Sequence, residues 1–260
     1  LTEIRTYIHH IQNPFSIDGQ QVENPLSKKG SRLQVGYWSV HGDSQIVSDS
    51  LRVIRGIDLD VSDMIISSIA SGAVLLEESE KDNGALVVDI GGGTSDFTVF
   101  RTHGEDTEII ASYGVRIGGT NFDKSISFDH IMPLFGRGTQ IRKELGAELL
   151  TAPNALFQDL ATWEKIPFLY TAETRRNVEQ LIRVGVDPHL FERLQTILTD
   201  ELGHDLAFTI ERAKIETNKA ERDATPIDLG LIERGLTATL NGENLSASLH
   251  DHAKAIGETA

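Results

Sequence analysis

The chain has no cysteine in 260 residues, which excludes disulfides and thiolate metal sites. That fits a reducing compartment, and a cytoplasmic location is expected. Basic residues are scarce beside acidic ones: 24 Lys and Arg stand against 39 Asp and Glu, for a formal net charge of −15. Such a surface repels nucleic-acid phosphates and anionic lipid. The densest basic stretches, Lys28-Lys29 with Arg32 and Arg175-Arg176, are too short to offset it. No apolar run approaches the ~20 residues of a membrane span, so neither a nucleic-acid partner nor a membrane anchor is expected in this segment. There is no P-loop, Gly-x-Ser-x-Gly elbow or His-Glu-x-x-His. His9-His10 and His250-Asp251-His252 lack i, i+4 spacing with a third ligand and read as surface histidines. The start, Leu1-Thr2-Glu3, carries neither an initiator Met nor a signal segment and reads as an excised piece of something longer.

What is present alternates between strand and helix patterns as far as residue 130. Residues 1–32 are rich in turn formers (Asn13-Pro14, Asp18-Gly19, Asn24-Pro25) and read as loops. Leu33 to Val40 is a strand candidate. Asp43 or Ser44 then caps a helix carrying Ile46, Val47, Leu51 and Ile54, ended by Gly56. Gly56 to Asp60 reads as a helix-to-strand loop, Met64 to Ile69 as a short strand, and Ala70 to Lys81 as a helix. Ala85 to Ile90, continuously apolar but for Asp89, suits a buried central strand. After a glycine turn, Phe97 to Arg101 makes the second arm of a hairpin, and Glu108 to Val115 is a further strand. Asn121 to Ile131 is a helix. Ala172 to Asn218 is mostly helical with one break near Gly185 to Pro188, its second helix striped by Leu190, Leu194, Ile197, Leu198, Leu202, Leu206 and Ile210. Two short strands (Ile227 to Leu229, Leu236 to Leu240) and a last helix from about Ser246 follow. Trp163, Phe157 and Tyr170 read as core rather than a base-stacking platform. The pattern is α/β with an appended α-rich subdomain.

One motif carries chemistry: Val87-Val88-Asp89-Ile90-Gly91-Gly92-Gly93-Thr94-Ser95-Asp96-Phe97. The glycines Gly91, Gly92 and Gly93 allow backbone amides to approach an anion with no side chain between. The Thr94 hydroxyl can donate to a phosphate oxygen. A bare carboxylate at Asp89 would repel that phosphate, so it implies a hydrated Mg²⁺ or a water to orient.

This hairpin resembles the second phosphate-binding hairpin of the actin-like ATPase superfamily, which includes DnaK-type chaperones, the cell-division protein FtsA, actin and sugar kinases. Upstream, Asp18-Gly19, Asn24-Pro25-Leu26, Gly30 to Leu33 and the strand to His41 are similar to FtsA, as is the stretch from Ala70 to Gly84. Downstream, Gly114 to Asp123, with Gly118-Gly119-Thr120-Asn121-Phe122-Asp123, resembles the DnaK-type Gly-Gly-x-x-Phe-Asp. Ile131 to Gly136, Leu160 to Trp163 and Phe168 to Tyr170 look closest to its YegD-like branch, and Glu211-Arg212-Ala213-Lys214 to the helix that contacts adenosine there. The change of likeness near the shared motif reads as a fused or recombined sequence.

The resemblance implies a partial actin-like ATPase fold of the ribonuclease H-like kind. Residues 1–82 would be an FtsA-like segment of the first lobe, 83–118 the base of the second lobe, and 119–260 its α-rich DnaK-like subdomain. It implies ATP or ADP with Mg²⁺ as ligands and ATP hydrolysis when the missing parts are supplied, with little activity in the chain as it stands. Asp89 and Thr94 would serve catalysis, Asp89 the metal, Gly91 to Thr94 the phosphates, and Gly118, Gly119, Glu211 and Lys214 the nucleoside. Ile215, Asn218 and Thr120 replace the family's Arg, Ser and acidic ribose contact. No Asp-x-Gly-Thr/Ser hairpin for a first phosphate site occurs. The other expectation is a non-catalytic interaction or cytoskeletal scaffold module that binds a protein client or a second copy.

Overall fold

A computed structural model describes residues 5–22, 24–103, 106–143, 148–219 and 224–259. The termini of the expected first and last segments, residues 1–4 and 260, lie outside the described residues. The chain is mixed α/β and divides into two compact units. One runs to Ile90 and takes in Ser95–Val115; the other takes in Gly91–Thr94 and Arg116–Glu258.

In the first unit, β1 (Arg5–Gln12) pairs antiparallel with β5 (Tyr37–Asp43). Between them, β2 (Phe15–Ile17) lies between β3 (Gln20–Val22) and β4 (Leu33–Gln34). The segment read as loops therefore holds strands: β2 and β3 form a local hairpin about Asp18-Gly19, whereas β1 with β5 and β2 with β4 pair across longer stretches that turn signals cannot reveal. α1 (Ser44–Arg55) follows its sequence signals closely. The Asp43 carboxylate accepts from the amides of Gln45 and Ile46, and Gly56 closes the helix.

The strand expected over Met64 to Ile69 does not form; residues 61–66 are irregular and α2 (Ser67–Leu75) begins there, followed by α3 (Glu78–Asn83). Small residues decide this. At Gly72 an added Cβ would lie 2.7 Å from the Phe100 ring, so the helix packs its glycine flat on that ring. Beneath it, Ser68 and Thr98 are both fully buried and share a hydroxyl hydrogen bond of 2.8 Å, which satisfies both groups.

β6 (Ala85–Ile90), β7 (Ser95–His103) and β8 (Asp106–Val115) form an antiparallel sheet in that order. Among the described residues β6 is thus an edge strand, not the central one its composition suggests. Leu86, Val88 and Ile90 remain 53%, 46% and 52% exposed. The alternate face, carrying Val87 and Asp89, is half-buried.

The second unit is helical around one apolar core. α4 (Gly119–Ile126) continues through a wide π turn (Ser127–Ile131) into a short 3-10 turn (Met132–Phe135) that Pro133 helps open. β9 (Gln140–Arg142) pairs with β10 (Leu149–Thr151), and α5 (Ala155–Leu160) leads into a 3-10 segment, Trp163–Leu169. α6 (Ala172–Val184), α7 (Pro188–Thr199) and α8 (Gly203–Asn218) follow. The stripe read as one helix is two, because Glu201 turns left-handed at φ 56° between α7 and α8. β11 (Ala224–Asp228) pairs with β12 (Thr237–Asn241), and α9 (Gly242–Thr259) starts four residues earlier than the pattern suggests.

The core gathers Ile126, Phe135, Phe157, Phe191, Leu194 and Ile210, all at most 1% exposed. Each such side chain contributes about 1.5–3 kcal/mol on burial. Arg193 ties α7 to the β11–β12 connection: Nε and Nη2 donate to the two Glu233 carboxylate oxygens at 2.6 and 3.1 Å, and Nη1 donates to the Leu134 carbonyl. This fork holds the Glu233 carboxyl below its usual range, with the Arg193 hydrogen bond as the largest cause.

Candidate functional site

The glycine turn closes on itself, the Gly91 N–H donating to the Thr94 carbonyl at 2.8 Å. It is then pinned to the start of α4. The Gly119 N–H donates to the Gly91 carbonyl at 2.9 Å and the Thr120 N–H to the Gly92 carbonyl at 2.7 Å. The Thr120 hydroxyl donates to that same Gly92 oxygen, also at 2.7 Å. Gly118 makes this approach possible: a Cβ there would lie 2.5 Å from the Gly91 oxygen and 2.7 Å from the Gly92 carbonyl. Its conformation is extended (φ −153°), so glycine is required here by space rather than by backbone angle. The Asn121 side chain accepts from the Gly118 N–H at 2.9 Å and completes the helix start.

These bonds take up the Gly91, Gly92 and Thr94 carbonyls and the first amides of α4. The amides of Gly92 and Gly93 have no partner among the described residues. A Cβ at Gly93 would meet nothing within 4 Å. The turn thus keeps two amide donors without a protein acceptor and little side-chain bulk around them, an arrangement that fits a small anion.

Asp89 sits on β6, half-buried, in register with Asp96 of β7. No group of three or more His, Asp or Glu arranged for a metal occurs among the described residues.

The two residues expected on the nucleoside side lie on α8. The Lys214 ammonium is a clasp onto α4: it donates to Asp123 Oδ2 at 3.0 Å, approaches Oδ1 at 2.8 Å, and lies 3.4 Å from the Gly119 carbonyl. The Oδ1 contact is an ion-pair approach without a directed N–H, so that oxygen has no hydrogen-bond donor. Burial raises the Asp123 carboxyl above its usual range despite the lysine, and the Glu211 charge adds to the rise. Glu211, one turn earlier, is exposed at the mouth of a cavity beside Thr120 and Asp123. The structure therefore brings the glycine turn, Gly118, Gly119 and Lys214 together, with Glu211 nearby on the same helix.

Asp123 was not singled out from the sequence as the partner of Lys214; 91 residues separate them and no local signal links them. Trp163 departs from its expected place in the core. It is 37% exposed, with its ring 4.6 Å from that of His204 and 5.0 Å from that of Phe208, the latter edge-on. Phe157 is fully buried as expected. His252 is half-buried, its Nε2 2.9 Å from the Ser125 hydroxyl, while His250 is exposed.

No protein-family profile matches the chain. It is similar to cell division protein FtsA of Bacillus subtilis, 28% identical over 138 residues that make up 52% of this chain and 30% of that protein. FtsA of Pseudomonas aeruginosa is 36% identical over 97 residues, 36% of this chain and 22% of that protein. FtsA of Escherichia coli K12 is 31% identical over 94 residues, with the same two shares. The chain thus spans less than a third of the length of these relatives. Among the described residues no helix is long and apolar enough to cross a membrane.

Proposed function

We propose that this chain is the phosphate-gripping segment of an actin-like cell-division ATPase related to FtsA, and that it binds ATP or ADP with Mg²⁺. The observation that carries this reading is the pinned glycine turn, whose Gly92 and Gly93 amides have no acceptor among the described residues, beside the Thr94 hydroxyl. The FtsA likeness supplies the cell-division context. In this reading Gly92, Gly93 and Thr94 hold phosphate, and Asp89 holds the hydrated Mg²⁺ or orients a water. The bound metal supplies charge neutralisation for the phosphates. Gly118 and Gly119 position the turn, and Glu211 and Lys214 face the nucleoside. The DnaK-like reading of residues 119–260 belongs to the same proposal, as does a switch driven by nucleotide in the complete protein.

Calorimetric titration of the chain with ATP·Mg²⁺ tests it. Saturable binding that Thr94→Val and Asp89→Ala each weaken at least tenfold is the expected result; equal binding in all three proteins defeats the reading. A tenfold loss corresponds to about 1.4 kcal/mol, close to the net value of one hydrogen bond to a charged group.

A second reading, an assembly or scaffold module, is favoured by the edge strand β6, whose Leu86, Val88 and Ile90 are about half exposed. Sedimentation across a concentration series distinguishes it. Self-association that is indifferent to nucleotide and lost in Val88→Lys supports the scaffold.

A further inference from the structure

Strand β6 is paired on one side only: β7 covers one edge, and the other meets no strand among the described residues. Which main-chain groups face that open edge follows from the hairpin. The Gly91 N–H donates to the Thr94 carbonyl, which makes Gly91 and Thr94 a hydrogen-bonded position. Such positions alternate along an antiparallel ladder, so Asp89, Val87 and Ala85 aim their main chains at β7. Leu86, Val88 and Ile90 therefore aim theirs outward, and these outward groups have no partner among the described residues. Nothing blunts the edge. Ala85–Ile90 holds no Lys, Arg or Pro, and its one charge, Asp89, stands with Val87 on the face opposite the exposed Leu86, Val88 and Ile90.

An occupant must be extended, to meet alternating donors and acceptors, and apolar at every second residue. β6 itself meets both conditions. Paired antiparallel with a second copy about a twofold axis at Val88, it sets Leu86 opposite Ile90, Val88 opposite Val88 and Ile90 opposite Leu86. These are the residues whose main chains point outward, so every outward group gains a partner and the apolar side chains of both copies join on one face. Asp89 falls opposite Val87. A slip of one residue would set outward groups against inward ones. A slip of one hydrogen-bonded step, in either direction, leaves an outward residue of each copy without a strand partner. The step toward the glycine turn also sets Asp89 against Asp89.

We propose that β6 pairs antiparallel with β6 of a second copy of this chain, with Val88 facing Val88 across the twofold axis; this rests on the scaffold reading and supplies its contact. The pairing uses up both open edges, so the assembly closes at a dimer instead of growing into a fibre. So short an edge covers less than the ~800 Å² per partner of a stable interface, so the dimer is weak and is best read by trapping it.

The chain has no cysteine, so single cysteines report without background. Val88→Cys, Leu86→Cys and Ile90→Cys each alter a half-exposed position, and circular dichroism checks that each variant folds. The full chains are oxidised with copper phenanthroline across a concentration series and read on non-reducing gels. Opposite Cα atoms at a hydrogen-bonded position lie about 5.5 Å apart, within disulfide reach. Residues four places out of register lie about 13–14 Å apart, beyond it. Val88→Cys should therefore cross-link to itself about tenfold faster or more than Leu86→Cys or Ile90→Cys alone. An equimolar mixture of the last two should recover a disulfide between positions 86 and 90, identified by mass spectrometry; this arm keeps Val88 and does not depend on the first variant's folding. Equal rates for the three single variants, or a mixture no faster than its components, overturn the proposal. Sedimentation of the parent chain separates the two readings. Self-association without this cross-linking pattern leaves the scaffold reading standing on another surface and overturns the β6 pairing. A monomer at every concentration sinks both and leaves the edge to a strand of another polypeptide.

Discussion

The substitution Gly118→Ala isolates the seam between the glycine turn and α4. The new methyl would stand 2.5 Å from the Gly91 oxygen and 2.7 Å from the Gly92 carbonyl carbon and oxygen, all main-chain atoms that no rotamer change can move aside. Relief requires the turn and the helix start to part. Overpacking of this kind costs about 1–3 kcal/mol. Parting also loosens the bonds from Gly119 and Thr120 to the turn, each worth about 0.5–1.5 kcal/mol. The expected loss is about 2–6 kcal/mol in all. With a urea dependence of about 2–3 kcal/mol per molar, the unfolding midpoint should fall by about 1–3 M. Trp163 emission in the Trp38→Phe background reads the second unit, where both the seam and the reporter lie. Gly93→Ala is the matched control: its methyl meets nothing within 4 Å, so its stability should stay within about 0.5 kcal/mol of the parent. Coincident midpoints for the two variants would refute the spatial argument for Gly118.

Lys214→Met removes the only ammonium paired with Asp123 among the described residues and should destabilise the second unit by about 1–3 kcal/mol, largely recovered when Asp123→Asn is added. Asp123 already titrates above the usual carboxylate range, so the native state holds its proton more firmly than the unfolded chain does. The gap between parent and Lys214→Met should accordingly be widest near neutral pH and close on acidification through that raised value, as urea midpoints at several pH values will show. Arg193→Met acts through Glu233, whose carboxyl is held low. Its stabilisation is present above the ordinary carboxylate pKa and lost as pH falls through the lowered value. The variant should therefore be less stable than the parent at pH 7 and converge with it in strong acid by circular dichroism melts. Glu201→Gly relieves a left-handed residue between α7 and α8 and should stabilise by about 0.5–1 kcal/mol, read as a Tm rise of about 1–3 °C.

Elements whose causes are local were legible from the sequence. Asp43 and Gly56 bracket α1 because the signals that start and stop a helix are carried within it. The β6–β7 hairpin was legible for the same reason, its turn being written in three consecutive glycines. Legibility failed where the deciding contact is remote. Nothing near Arg5–Gln12 announces β5, about thirty residues on, so β1 is read as loop although the strand over Leu33 to Val40 that overlaps its partner is legible. Met64 to Ile69 is short and apolar, and periodicity alone cannot separate strand from helix there; Gly72 against Phe100 settles it. The break at Glu201 is hidden because the apolar stripe runs through it in phase, and a left-handed glutamate gives no compositional warning. At the candidate site the glycine turn was visible, whereas the pairing of Asp123 with Lys214 and the aromatic setting of Trp163 depend on folding.

The Lys214 clasp has a chemical consequence. Acylating reagents must reach the amine nitrogen, and one held between a carboxylate and a main-chain carbonyl, on a side chain only 16% exposed, is shielded from them. Lys214 should therefore rank among the slowest lysines in a labelling time course followed by mass spectrometry. A ligand that draws the ammonium away from Asp123 into open solvent would quicken its labelling, whereas one that closes over it would slow it further. The residue is in this sense its own footprint, recording occupancy of α8 without any added probe.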